Sequence, residues 1–338
     1  MEKNKNGILQ DVVLIRFLVV ILLLFCHSFT IYGNGWKFPE GIQEFLPYKL
    51  ISQVAYAAML ETFVFISGYV FQMQVEKGKI KGSAVNWITK KAKRLLIPSL
   101  IFSALWLILL QPINADNIRN FAKHLSTAHL WFLPMLFWCF VCGYIIQKRN
   151  WCNLWMLSVL LLLIFVPRPT IIPLRITSFM EYGFYFVLGM YIFKNREHLL
   201  PKIQSNTALV SSLVIFIVFF SGEAYMKECM DLTIPHYVAN AVSFTYSASG
   251  VLLIYGLCNR VIDKIDNMPA IIAKVANYSF AIYVFHQFLL FFIYYHTSIP
   301  ETLGNYWLPW FAIVATTILS YTFAHFFLKT KVGKWLLG

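Results

Sequence analysis

The sequence predicts an all-α polytopic membrane protein of about ten transmembrane helices, with both termini on the cytoplasmic side. Three observations carry this. Apolar runs of spanning length recur along the whole 338 residues. Only 13% of residues are charged and 59% are hydrophobic, whereas a soluble domain is nearer a quarter charged. The basic residues also gather on alternate connections. A hydrocarbon core of about 30 Å needs about 20 apolar helical residues. Runs of roughly that length fall near 12–32, 50–73, 95–111, 129–147, 152–167, 177–193, 207–222, 237–257, 276–296 and 307–328.

The first run keeps Arg16 and His27 and is followed by YGNGWKF, not by a small-residue cleavage pattern. It is expected to stay as a helix. The second run holds Glu61, the third follows the basic stretch WITKKAKR, and the fourth opens on the aromatic TAHLWFLP. The polar connections are short, so a single transmembrane domain over 1–338 is expected, with no separate soluble domain.

Orientation follows from the loops. With the N-terminus inside, Lys3, Lys5, Lys77, Lys79, Lys81, Lys90, Lys91, Lys93 and Arg94 are inner, as are eleven further basic residues between Lys148 and Lys334. The outer connections hold Lys37, Lys49, Arg119, Lys123, Arg168, Arg175 and Lys227. The bias has the sign of the positive-inside rule. It accounts for the net charge of +13 through anionic membrane lipids, and no nucleic-acid module is present. The seven outer basic residues are balanced by seven acidic ones, among them Asp231.

The six cysteines form no disulfide framework. Cys139 and Cys142 make a C-x-x-C on an apolar run without a second pair, which reads as packing, and no metal is expected.

Ionisable residues inside a span are costly and mark function by default. Arg16 and His27 are eleven residues apart. Eleven steps of about 100° bring the two side chains to within roughly 20° on one helix face, about 16 Å apart along the axis. An arginine keeps its charge and suits phosphate; an imidazole can accept a proton from a hydroxyl. Arg16 reaching to the headgroups and His27 as an interior polar residue is the structural alternative. Lys91 and Arg94, three apart, share a helix face at an inner span end, where an ordinary positive-inside anchor is also expected. Glu61 needs an interior partner: it is either a structural partner of Arg16 or a positioning group for the chemistry. His286 in YVFHQFLL and Trp131 in LWFL are either interior and interfacial residues or lining of a site. Ser67-Gly68 reads as close helix packing.

Taken in order, R-x10-H at Arg16–His27, FISGYVF at Phe65–Phe71, Lys91–Arg94 followed by LLIP, LWFL at Leu130–Leu133 and YVFHQFLL around His286 resemble the acyltransferase-3 family of bacterial integral-membrane O-acyltransferases. The resemblance covers nearly the whole chain. It implies a ten-helix fold in the bacterial cytoplasmic (inner) membrane. There a cytoplasmic acyl-CoA, most simply acetyl-CoA, meets a carbohydrate or glycolipid acceptor. It implies a catalytic His27 assisted by Glu61, acyl-CoA contacts from Arg16, Lys91 and Arg94, and a site lined by Trp131 and His286. Two departures stand out: Val13 replaces an aspartate common three residues before the arginine, and Lys91 replaces an arginine. The soluble esterase-like domain that some members append is not expected here. A transporter or flippase of surface glycan or lipid intermediates would use the same ten helices, and homo-oligomerisation is left open.

The charge bias makes a direct prediction. In a chain stripped of its native cysteines, single cysteines at Lys93 and in the C-terminal tail should resist an impermeant thiol reagent on intact cells, while Cys229, restored alone, should label. Outside labelling of the first two would overturn the topology.

Overall fold

The structure is a computed structural model that describes residues 10–33, 35–80, 83–111, 114–167, 173–230, 232–265 and 267–338. Lys3, Lys5, Lys81, Arg168 and Asp231, used in the charge argument, lie outside the described residues. Among the described residues all regular structure is helical. The helices are α1 (Gln10–Ser28), α2 (Leu46–Tyr56), α3 (Met59–Glu76), α4 (Ala84–Leu110), α5 (Ala115–His124), α6 (Phe132–Lys148) and α7 (Leu154–Leu163). They continue with α8 (Phe179–Lys194), α9 (Arg196–Ile203), α10 (Asn206–Glu228), α11 (His236–Ile262), α12 (Ala270–Tyr295), α13 (Ile299–Phe327) and α14 (Lys331–Leu337).

Nine helical segments among the described residues are long and apolar enough to cross a membrane. The expected span at 152–167 is the short helix α7, with ten residues. That is about 15 Å of helix, half a hydrocarbon core. The protein is thus a multi-pass helical membrane protein. Local sequence sets several helix starts. Ser83, Asn114, Asn153, Ser205 and Thr330 each accept the backbone N–H three residues on through a side-chain oxygen, closing one of the four open donors at a helix start.

The chain forms two compact units, one of residues 1–63 and 198–327, the other of residues 64–197 and 328–338. In the first unit α1 packs on α2, α11, α12 and α13, α10 pairs with α11, and α12 pairs with α13. Helix α1 is apolar nearly all round, with Ile15, Val19, Val20, Leu23 and Leu24 buried, as a helix enclosed by others must be. Its end is fixed by side chains that satisfy its last carbonyls. Ser52 and Thr30 both donate to Cys26 O at 2.8 Å, and the Tyr294 hydroxyl donates to Ser28 O.

The segment after α1 is held down in the same way. Gly304 breaks α13 with φ 64°, a backbone conformation that favours glycine. The break leaves Asn305 O to accept from the Tyr32 hydroxyl and Asn305 Oδ1 to accept from Gln43 N. Burial raises the Tyr32 phenol's pKa, which keeps it a donor there. Tyr295 donates to Lys37 O, and Tyr48 to Tyr306 O. Phe29, Tyr32, Phe45, Tyr48 and Trp310 meet edge to face around this anchor, the arrangement that ring quadrupoles favour.

In the second unit α4 packs on α6 and α14, and α8 packs on α6 and α7. Helices α3 and α8 touch backbone to backbone through two glycines. A Cβ on Gly68 would overlap Phe186 O, and one on Gly189 would overlap Phe65 O. Ser67-Gly68 therefore does what its sequence suggests: it removes side chain where two helices must meet.

This contact should be sensitive to one methyl. Gly68→Ala has to push α8 away, and overpacking of this kind costs about 1–3 kcal/mol. Thermal unfolding in detergent should show a clearly lowered midpoint; an unchanged midpoint would mean the helices do not touch there.

Candidate active site

His27 is the next-to-last residue of α1, so the carbonyl contacts that fix the helix end also fix this imidazole. The expected first span runs to residue 32; the helix instead ends at Ser28, which places His27 in its last turn. There the ring meets side chains from the same unit. The Gln287 side-chain amide nitrogen lies 3.0 Å from Nδ1 and 3.2 Å from Nε2. Trp36 stacks at 6.5 Å between ring centroids. The His286 ring lies at 5.0 Å, tilted by 43°. His286 is fully buried and its Nδ1 is 2.7 Å from Tyr283 O. A carbonyl only accepts, so Nδ1 carries a proton and the neutral ring keeps its lone pair on Nε2.

Trp36 is positioned by packing on Phe291, Tyr294 and Tyr295, on the face of α12 next to the histidine pair. The structure thus brings together His27 and His286, which the sequence had placed in separate roles. It adds Gln287 and Trp36, which sequence reasoning did not assign. Gln287 stood in plain view in YVFHQFLL, but its role depends on which face of α12 meets α1. Trp36 lies in a connection whose course no local periodicity reveals.

Arg16 lies eleven residues before His27 on the same continuous helix, half-buried. The shared face argued from spacing therefore holds, as does the axial offset of about 16 Å. Glu61 occupies the first turn of α3, just after the break at Ala57–Ala58 that divides the expected second span. A carboxylate there is favoured by the helix N-terminus. It interacts electrostatically with Tyr246, whose hydroxyl contacts Ser243 Oγ at 3.3 Å. Ser243 in turn donates to the buried carboxylate of Glu223. The α2–α3 break makes room for a close approach: Ser247 donates to Ala57 O, and a Cβ on Gly250 would press on Ala58. Nearby in sequence, Lys49 is buried within α2 and pairs with Glu228 at 2.5 Å; it was expected in a loop.

Lys91, Arg94 and Trp131 belong to the second unit. Lys91 sits in an aromatic cage, its Nζ 3.8 Å from the Phe140 ring centre and 5.5 Å from that of Trp87. Tyr144 stacks on Trp87 at 5.0 Å. Arg94, three residues on, is exposed, as are Lys90 and Lys93. Trp131 ends the short 3-10 turn Ala128–Trp131 and packs on Tyr182 at 5.9 Å. Leu130 O in that turn accepts from Ser99, and Thr127 N donates to Ser103 Oγ, which ties the turn to α4. No three His, Cys, Asp or Glu gather as metal ligands among the described residues. Cys139 packs on Met135.

The fold and this site define a multi-pass helical membrane protein with a paired-imidazole centre at the end of its first helix. Residues 10–325 match the acyltransferase domain model of the acyltransferase-3 family, and the chain belongs to that family. It is accordingly a membrane acyltransferase, a transferase of groups other than aminoacyl groups. It is similar to the protein of Staphylococcus aureus strains MSSA476, N315 and Mu50 described as "Probable poly-beta-1,6-N-acetyl-D-glucosamine export protein". The identity is 21% over 319 residues, covering 86% of this chain and 85% of the relative. No solved structure matches the chain.

The Lys91 cage can be tested without any substrate. Lys91→Met keeps the aliphatic stem and removes the cation–π attraction, worth about 0.5–2 kcal/mol. A lowered unfolding midpoint and altered tryptophan emission are expected. Wild-type values for both would show that the lysine does not occupy the cage.

Proposed function

We propose that this protein is an O-acyltransferase. In this reading it moves an acyl group, most simply acetyl, from cytoplasmic acyl-CoA to a hydroxyl of a cell-surface polysaccharide or glycolipid precursor. The observation that supports it most is the His27 centre: an imidazole at one end of an otherwise apolar helix, on the same face as Arg16, with the His286 ring of α12 5.0 Å away. Such a pair is costly to build into an apolar bundle and suits proton transfer at a hydroxyl.

His27 takes the acceptor's proton as the hydroxyl oxygen attacks the thioester carbonyl. The carbon–sulfur bond breaks, and the proton passes on to the departing thiolate, so no net proton is consumed. Trp36 offers a flat apolar wall of the kind that packs against a sugar face. Arg16 holds donor phosphate, about 16 Å from the reacting groups along α1. Arg94, being exposed, is available to phosphate; Lys91 has to leave its aromatic cage to help. Glu61, in its polar cluster with Tyr246, positions the donor side of the site. The inner membrane of a bacterial cell is where such a donor and acceptor meet.

The staphylococcal relatives are described as exporters of a polysaccharide, which favours a second reading, translocation of a surface glycan or lipid intermediate. Thiol release from acetyl-CoA separates the two: the transferase consumes acyl groups, whereas the transporter moves glycan without consuming them.

His27→Ala is the decisive variant. A positioned histidine base contributes about 10²–10⁴-fold. In inside-out vesicles carrying the native acceptor, His27→Ala should bind acetyl-CoA normally and lose transfer by at least about 100-fold. Arg16→Ala should instead weaken donor binding by roughly ten- to a hundred-fold, the size of one charge-assisted contact. Near-normal transfer by His27→Ala would remove the histidine from the reaction and leave the transport reading the stronger.

A further inference from the structure

We infer that the open groove between α2 and α10 seats a membrane-anchored acceptor: it takes the hydrocarbon chain of a glycolipid whose neutral, hydroxyl-rich head lies at the Lys49–Glu228 end. The inference rests on the acyl-transfer reading above and deepens it by naming the class of acceptor.

The walls are apolar and belong to one unit. Leu46, Leu50 and Val54 line the groove from α2, and Phe220, Ala224 and Tyr225 line it from α10. Residues four apart share a helix face, so each wall is a continuous stripe. The cavity holds about 280 Å³. Ser221 and Ala224 keep it open by being small, and Leu46, Val54 and Tyr225 are exposed along it. Leu46 to Val54 and Phe220 to Glu228 are both eight helical steps, about 12 Å. One leaflet of a hydrocarbon core is about 15 Å deep. Both walls belong to segments long and apolar enough to cross a membrane. A groove of this length, facing lipid, fits one hydrocarbon chain lying along the helices.

One end of the groove is polar, and its charges select the head. Glu228 lines the groove there. Lys49 Nζ lies 2.5 Å from Glu228 Oε2 and 3.6 Å from Glu44 Oε1. Gln53 Nε2 donates to Glu228 Oε1 at 3.1 Å. Lys227 pairs with the buried Glu223. Three carboxylates thus accompany two ammonium groups, and both ammonium groups are engaged. A phosphate head arriving here meets a net negative charge. A sugar hydroxyl instead meets carboxylate oxygens, each able to accept more than one hydrogen bond.

The same end adjoins the histidine centre. Ser52, next to Gln53 on α2, donates to Cys26 O, the carbonyl just before His27. Helix α2 therefore carries the groove on one face and grips the end of α1 with another. A head leaving the groove past Gln53 has about one helix diameter, about 10 Å, to cover before it meets His27. With the orientation expected from the loop charges, this end faces outward and Arg16 lies deeper. Acceptor and donor then reach His27 from different sides.

The test uses dodecyl glucoside with a diazirine on its chain, added to the full-length protein in nanodiscs of phosphatidylethanolamine and phosphatidylglycerol. Dodecyl phosphate and phosphatidylethanolamine carrying the same diazirine are run beside it, and cross-linked peptides are located by mass spectrometry. The glucoside should label the groove residues at least about fivefold more than either phosphate-bearing probe, and Ala224→Trp, which fills the groove, should cut that labelling at least about tenfold. Val218→Trp, at an exposed position on the far face of α10, adds the same bulk and should label as wild type. Equal labelling by all three probes would assign the groove to bulk lipid, and stronger labelling by dodecyl phosphate would assign it to an anionic head. Either overturns the proposal, as does labelling that Ala224→Trp leaves unchanged. Val54→Trp repeats the test from the other wall if Ala224→Trp fails to fold. In inside-out vesicles with native acceptor, Ala224→Trp should also lower thiol release at least about tenfold, with acetyl-CoA binding within about twofold. Normal thiol release by that variant overturns the groove alone. Specific glucoside labelling without acyl consumption by the wild type instead brings down the acyl-transfer reading.

Discussion

An imidazole at the end of an apolar helix has to be partnered, and that requirement organises the first unit. Much of α1 around His27 is apolar, with Val19, Val20, Leu23 and Leu24 buried. The partners come from α12, as Gln287 and His286, and from the segment after α1, as Trp36. To bring them there, α1 must end at a fixed place and the segment must turn back over it. Both are achieved with backbone carbonyls. Cys26 O and Ser28 O, which a helix end leaves open, take hydroxyls from Ser52, Thr30 and Tyr294. Asn305, freed by the glycine break in α13, ties down Tyr32 and Gln43. These bonds do two jobs: they satisfy polar groups that an apolar surrounding would penalise, and they set the geometry of the histidine pair.

The second unit solves a different problem. Apolar side chains gain little by leaving lipid for protein, and where α3 meets α8 the contact is backbone to backbone. Close backbone approach is what remains, and Gly68 and Gly189 supply it from both sides of the α3–α8 contact. A large aromatic, Phe186, then fills the space beside it and packs on Phe71 and Phe140. Lys91 joins the same aromatic cluster by laying its ammonium over Phe140. A lysine near a helix start thereby becomes part of the packing while Arg94, one turn on, stays exposed.

Much of this was legible in the sequence because it depends on period and polarity. The all-helical multi-pass class, the continuity of Arg16 and His27 on one helix, and the packing role of Ser67-Gly68 all follow from local residues. The short α7 was overread because LLLL and its neighbours score as a span whether or not the helix continues. The break before Glu61 was hidden because Ala57 and Ala58 are good helix formers; what meets the chain there, Ser247 and Gly250, lies on a helix far along the sequence. Gln287 was missed for the same reason. Its neighbour His286 attracted attention as an ionisable residue, but α12 is apolar on most faces, so no amphipathic stripe says which side meets α1.

The separation of Arg16 from His27 gives the proposed reaction a geometric consequence. Both sit on one unbroken helix, so the distance between a bound donor phosphate and the reacting hydroxyl is set by helix rise. Eleven residues fix it at about 16 Å, and no side-chain rearrangement changes it by more than the reach of the arginine. A donor whose thioester lies closer to its phosphates would place the carbonyl short of His27, and a longer one would have to buckle against Trp36. In the proposed reaction the helix would act as a ruler for the arm between phosphate and thioester, a part common to every acyl-CoA. Choice among acyl groups then falls to the side chains around His27, among them Trp36, His286 and Gln287.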